Sequence, residues 1–111
     1  EIPGLSALLQ QRIAAARPVA AICGATLALA YAGLLDTRPH TSNSEALLRE
    51  HVGVYAGTAH YQETSVVSAG QLVTAPGTSP VGFAVECLRL LHPQREEQIA
   101  QMKQTFAAEF A

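Results

Sequence analysis

A chain of 111 residues with 49% hydrophobic and 14% charged content has material for one small domain and its core. Its formal net charge of -2, counting histidine as neutral, provides no basic face, which excludes nucleic acid as an expected partner. No apolar run approaches the ~20 residues of a membrane span and no stretch reads as a signal peptide. The two cysteines lie far apart and read as a reduced pair, so the expected setting is the cytoplasm, without membrane contact.

Glu1-Ile2-Pro3-Gly4 reads as a loop leading into a helix, as if the chain began in mid-architecture. From Leu5 to Ala16, Leu5, Leu8, Leu9, Ile13 and Ala16 recur at three-and-four spacing and form one helical face, which Arg17-Pro18 ends. Val19 to Ile22 has no polar alternation, the pattern of a parallel strand covered by helices on both faces. Cys23 follows at once, and Gly24 to Ala32 then predicts a buried helix. Gly24, Ala28 and Ala32 permit its close approach to the strands, and Gly33 is its C-cap.

Asp36 to Pro39 predicts a surface turn and His40-Thr41-Ser42 a short strand ending at Asn43. Ser44 to His51 predicts a helix capped by Asn43 or Ser44, and the Gly/Ala-rich stretch from Gly53 to His60 stays unassigned. Two strands are expected near Thr64 to Ser68 and Gln71 to Ala75, joined by Ala69-Gly70 as a hairpin turn. After Pro76-Gly77-Thr78-Ser79-Pro80, with Ser79 as cap, a helix runs from Val81 to Leu91 with Phe83, Ala84, Cys87, Leu88 and Leu91 inward. A last helix starts near Pro93 and aligns Ile99, Met102, Phe106 and Phe110 in one stripe.

Chemistry concentrates at the strand-to-helix junction. A helix start favours thiolate over thiol through its free N-H groups and dipole, and the Gly24 N-H stands next to Cys23, where it could meet an oxyanion. Local pattern admits two readings of Cys23, a small core hydrophobe or an activated nucleophile. Cys87, set inside an apolar helix, reads as an inert buried thiol. His40 is open in the same way: the sheet could return it to the top near Cys23, or it could be a polar surface histidine at a strand start. No Cys/His set has metal-ligand spacing, and neither GxGxxG nor GxxxxGKS/T occurs, so neither a metal nor a cofactor is expected.

Several of these segments, in order, carry a resemblance. They are Val19-Ala20-Ala21-Ile22-Cys23-Gly24-Ala25 before an Ala/Leu helix, Gly33-Leu34-Leu35, His40-Thr41-Ser42-Asn43, and Leu72-Val73-Thr74-Ala75-Pro76-Gly77-Thr78-Ser79 before a helix with Phe83-Ala84. From about Leu5 to Leu91 the chain resembles the ThiJ/PfpI family of the class I glutamine amidotransferase-like superfamily. The resemblance implies an α/β fold, a flavodoxin-like three-layer sandwich with a mostly parallel sheet, of which residues 1–111 form a single or partial domain, the C-terminal portion. It makes Cys23 the elbow nucleophile and the Gly24 amide part of the oxyanion site, and it puts either His40 or Asn43 near the family's histidine position.

The family's glutamate and second oxyanion glycine belong to earlier βα units, and Glu1, Glu45, Glu50 and Glu63 do not stand in matching positions. A second polypeptide or an N-terminal half is therefore expected to complete the sheet, and the complete domain to form a homo-oligomer. The implied function is a cysteine-dependent hydrolase or lyase acting on a small carbonyl or amide substrate, of amidotransferase, glyoxalase or deglycase type. The alternative is a non-catalytic redox or stress-response protein with an oxidisable Cys23.

Overall fold

A computed structural model describes the backbone of residues 2–110 and the side chains through Ala107. The elements in order are α1 (Leu5–Ala14), β1 (Val19–Ile22), a 3-10 turn (Cys23–Ala25), α2 (Thr26–Tyr31), α3 (Glu45–His51), a 3-10 turn (Thr58–His60), β2 (Val67–Ala69), β3 (Leu72–Ala75), α4 (Pro80–Leu91), a 3-10 turn (Pro93–Arg95) and α5 (Glu96–Phe110). The architecture is mixed α/β. No helix among the described residues is long and apolar enough to cross a membrane.

The sheet runs β1-β3-β2. β1 and β3 are parallel, with Val19 opposite Leu72 and Ile22 opposite Ala75, whereas β2 returns antiparallel to β3. Among the described residues the sheet thus combines a parallel pair with an antiparallel hairpin, and one further parallel bridge joins His40 to Tyr61. All four β3 residues are buried, which requires cover on both faces. Leu72 joins Val19, Ala21, Leu29, Leu35, Leu48 and Val52 in one cluster, with Leu9 and Ile13 of α1 packed against it. Each fully buried leucine here withdraws apolar surface worth about 1.5–3 kcal/mol. α4 packs on β3 and β1, and α5 packs on α4.

β1 departs from the expectation of burial on both faces. Val19 and Ala21 are buried but Ala20 is exposed, and β3 is the strand's partner on one edge alone among the described residues. The hairpin turn is Gly70-Gln71 rather than Ala69-Gly70, with Gly70 at a φ of 60°, the first central position where a type II′ turn favours glycine. α2 is shorter than expected and one-sided. Thr26, Leu29 and Ala30 are buried, but Tyr31 is exposed, and Gly24 has open space rather than a packed strand beside it.

Helix ends follow local chemistry. Ser44, not Asn43, caps α3, its Oγ accepting from the Leu47 N-H at 3.1 Å. Pro80 sits in the first turn of α4, where its missing N-H costs no helical bond, while the Ser79 side chain makes no cap bond. The inward face of α4 is turned from the expected one: Val85 is buried, Ala84 and Leu91 are exposed, and Phe83, Cys87 and Leu88 are half-buried. The reason is that α4 divides its contacts between the sheet and α5. In α5 Ile99 is buried, Met102 half-buried and Phe106 exposed, and the side chain of Phe110 lies outside the described residues.

α1 ends at Ala14, three residues before Arg17-Pro18, in a Schellman motif. Ala16 takes φ 57°, its N-H bonds the Ile13 carbonyl at 3.0 Å, and the Arg17 N-H bonds the Arg12 carbonyl at 2.9 Å. The Arg12 guanidinium donates onward to the Pro18 carbonyl, tying this end to the entry of β1. An alanine in the left-handed region carries a Cβ-to-carbonyl clash that glycine lacks. Ala16→Gly is expected to raise stability by about 1 kcal/mol, read as a higher denaturant midpoint at unchanged slope. A midpoint that falls would contradict this account of the helix end.

Candidate active site

β1 delivers the chain to Ile22 in extended geometry, φ -124° and ψ 146°, and Cys23 then turns to φ 59°. A side chain there is strained, and the strain persists only where surrounding bonds hold it. Two such bonds are visible. The Thr26 hydroxyl donates to the Cys23 carbonyl at 2.8 Å, and because that hydroxyl is used, the Ser42 hydroxyl 2.7 Å away must donate to Thr26 Oγ1. The reversal leaves Cys23 exposed at the start of the 3-10 turn that leads into α2.

Asn43 Nδ2 donates to Cys23 Sγ at 3.3 Å, and the N-H of Gly24, the next residue, adds a second pull toward the anion. Both favour the anion, Asn43 more strongly, and hold the Cys23 pKa below its ordinary 9.0. The orientation of the Asn43 amide follows from its other end. The Gly77 N-H, a donor only, bonds Oδ1 at 2.8 Å, so the NH2 group must face the sulfur. Gly77 is itself confined: a Cβ on it would lie 3.0 Å from Cys23 Sγ and 3.3 Å from Cys23 Cβ. A side chain at residue 77 would displace the thiol or the loop.

Asn43 is carried by a buried polar segment. The Thr41 N-H donates to Thr74 Oγ1 at 2.9 Å, Ser42 bonds Thr26, and the Tyr61 hydroxyl donates to the Ser42 carbonyl at 3.3 Å. Thr26, Thr41 and Thr74 are fully buried, Ser42 is 2% exposed, and all four bond within this network, with the fully buried His40 adjoining it. Buried polar groups are costly unless paired, and here each pairing holds the strand end that presents Asn43.

His40 is neither the expected surface histidine nor a hydrogen-bonding neighbour of Cys23. It is fully buried, with Nδ1 2.7 Å from the Arg38 carbonyl and Nε2 2.7 Å from the Tyr55 hydroxyl. A carbonyl only accepts, so Nδ1 carries the proton and Nε2 accepts from Tyr55. Burial lowers the His40 pKa against the pull of that carbonyl, and the Tyr55 phenol is pushed up to about 12, mainly by burial and then by Glu45. The unassigned stretch around Gly53 to His60 closes this pocket. A Cβ on Gly57 would lie 2.3 Å from the Leu35 carbonyl oxygen and 2.9 Å from His40 Cε1, so only glycine fits.

Of the three residues singled out by the sequence, Cys23 and Gly24 come together and His40 stands apart, its place beside the sulfur taken by Asn43. Gly77, Thr26 and Thr74 were not singled out. Their roles depend on contacts across 34, 16 and 33 residues, for which no local pattern exists. Cys87 behaves in the opposite sense to Cys23, its thiol pushed up by burial and by Glu86. Among the described residues, no cluster of three His, Cys, Asp or Glu side chains could hold a metal ion.

The Asn43 donor has a direct consequence for reactivity. The rate of iodoacetamide alkylation at Cys23 is expected to rise to half its plateau at a pH below 9.0. Asn43→Asp removes the donor and adds a negative charge, so it should move that midpoint upward and slow alkylation near neutral pH roughly tenfold. Cys87→Ser should leave the profile unchanged. An Asn43→Asp profile that superimposes on the unmodified one would contradict the assignment.

The chain is similar to known proteins over most of its length. The family model described as DJ-1/PfpI family matches residues 2–90. The Bacillus subtilis (strain 168) protein named "Uncharacterized protease YoaZ" is 47% identical over 66% of this chain and 35% of its own length. "Uncharacterized protease YdeA" of the same organism is 36% identical over 77% of this chain and 43% of its own length. This chain thus spans about a third to two fifths of the curated relatives it matches. The crystal structure of a DJ-1 superfamily protein from Agrobacterium tumefaciens, 38% identical, superimposes with TM-score 0.81 over 99% of this chain and 58% of that one. On the family match and these relatives, the chain belongs to the DJ-1/PfpI family.

Proposed function

We propose that Cys23 is the nucleophile of an enzyme acting on the carbonyl carbon of a small carbonyl or amide substrate. One observation carries the reading: an exposed cysteine, held at a strained φ, whose sulfur accepts a hydrogen bond from the Asn43 amide and stands next to the Gly24 N-H. The Cys23 thiolate attacks the carbonyl carbon, the C-S bond forms, and the C=O π pair moves onto oxygen. As negative charge leaves the sulfur, the Gly24 N-H is free to donate to that oxygen. His40 is left out of proton transfer because both ring nitrogens are committed. It acts instead as the buried post on which the Thr41 to Asn43 segment is mounted.

Proton transfer then falls to a group outside these residues. In this reading the chain is the C-terminal portion of a flavodoxin-like domain, and a further segment or second polypeptide completes it. The edge of β1 that is unpaired among the described residues and an apolar hollow of about 190 Å³ between Ile2 and Leu5 on one side and Leu27 and Tyr31 on the other support that arrangement. The completed domain is proposed to pair with copies of itself in the cytoplasm, where Cys23 stays reduced.

A second reading is favoured by the same exposure. With no side-chain acid or base bonded to Cys23 among the described residues, the thiolate would serve as an oxidisable redox group, its sulfenic or sulfinic oxygens held by the same amides. Steady-state turnover of methylglyoxal and of small amides separates the two in the protein that carries this chain. The enzyme reading expects Cys23→Ser to lose at least roughly 100-fold in kcat/KM and Cys87→Ser to retain it. Peroxide-sensitive Cys23 without turnover of any such substrate would instead select the redox reading.

A further inference from the structure

Two concavities adjoin on the side of Asn43. A polar cleft of about 280 Å³ is bounded by Thr41, Ser42 and Asn43, the last of which touches the sulfur. A larger pocket of about 430 Å³ opens at the start of α4. Ser65, Thr78 and Ser79 line both, so the cleft leads from Asn43, which touches the sulfur, into the pocket.

The pocket walls are apolar for reasons written in the backbone. Val66 and Val81 face it with methyl groups, and Pro80 removes an N-H from the first turn of α4. Gly82 leaves the floor open, since a Cβ on it would meet nothing closer than Val66 Cγ1 at 3.7 Å. An alanine would fit here at the cost of some pocket depth. The two charges at the pocket, Glu86 and Lys103, are of opposite sign, and Glu86 is already paired with Arg89.

We infer that this pocket is a specificity site for an apolar, branched alkyl or aryl substituent of the substrate, reached through the polar cleft from the carbonyl carbon at Cys23. The inference rests on Cys23 being the reacting group. A substrate of this kind places its polar carbonyl end against Asn43 and the Gly24 amide and its apolar end beyond Ser65 and Thr78. Concave, mostly apolar pockets with a few polar groups at one end are the usual form of small-molecule sites.

Alkylation tests the pocket without requiring turnover. In the Cys87→Ser protein, Cys23 is treated with N-methyl-, N-benzyl- and N-(4-phenylbutyl)chloroacetamide, and intact mass follows the rate. The thiolate displaces chloride, which leaves with the C-Cl electron pair as the C-S bond forms. Glutathione under the same conditions provides the intrinsic rate ratios. The aryl reagents are expected to exceed that intrinsic ratio by at least roughly tenfold and to saturate.

Gly82→Leu and Val81→Trp, each filling the pocket from a different residue, should abolish the gain while leaving the N-methyl rate unchanged. Gly82→Ala should fold and keep most of the gain. Ratios equal to those of glutathione, or a gain that survives both filling variants, would overturn the inference. Aryl selectivity without turnover of any carbonyl or amide would support the pocket and overturn the enzyme reading.

Discussion

The carboxamide of Asn43 joins three parts of the chain that are remote in sequence. Its oxygen receives the Gly77 N-H from the loop after β3, and its nitrogen donates to the Cys23 sulfur at the end of β1. Because a backbone N-H can only donate, the amide has one permitted orientation, and that orientation turns its NH2 group toward the thiol. The lowered pKa of Cys23 follows from this constraint more than from any other contact. Remove the Gly77 bond and the amide could rotate, presenting an oxygen that repels a thiolate.

Holding a small amide in place is expensive in conformational terms, and the fold meets the cost with buried polar pairs. Thr26, Thr41, Ser42 and Thr74 sit where a hydrophobic core would accept valine or alanine. Thr26, Ser42 and Thr74 spend their hydroxyls on the segment that ends at Asn43 or on the strained Cys23 turn, and the Thr41 hydroxyl ties that segment to the Thr64 carbonyl. The paired network fixes one arrangement, because breaking any member strands another in a dry interior. The apolar cluster beneath it, from Leu29 to Leu72, supplies the stability. Exposure of the reactive sulfur and burial of its supports are two sides of one design, a rigid mount for a group that must meet solvent.

How much of this could be read in advance depended on the range of each interaction. The β-branched run into Cys23-Gly24 announces a strand and a sharp turn through neighbours alone, and Pro80 and Ser44 mark helix starts by chemistry that acts within one turn. The resemblance carried by the ordered segments pointed to the family that the comparisons show. His40 illustrates the limit. Nothing near it in sequence shows that Tyr55, Tyr61 and Gly57 close around it, so its burial and committed nitrogens were invisible, and Asn43 stayed an alternative beside it. The face of α4 was misplaced for a related reason, since its periodicity cannot distinguish the sheet from α5 as the surface it packs on. The hairpin turn moved by one residue because Ala69-Gly70 and Gly70-Gln71 each place glycine in a two-residue loop, and cross-strand packing decides between them.

The central claim is that the Asn43 amide donates to the Cys23 sulfur and senses its charge. Proton-nitrogen correlation spectra of the side-chain amide, recorded across a pH titration, test this most directly. The account predicts that the Asn43 NH2 resonances shift with a single midpoint below 9.0, that Cys23 alkylation follows the same midpoint, and that Cys23→Ser abolishes the shift. Asn43 resonances that stay fixed while Cys23 ionises would contradict it.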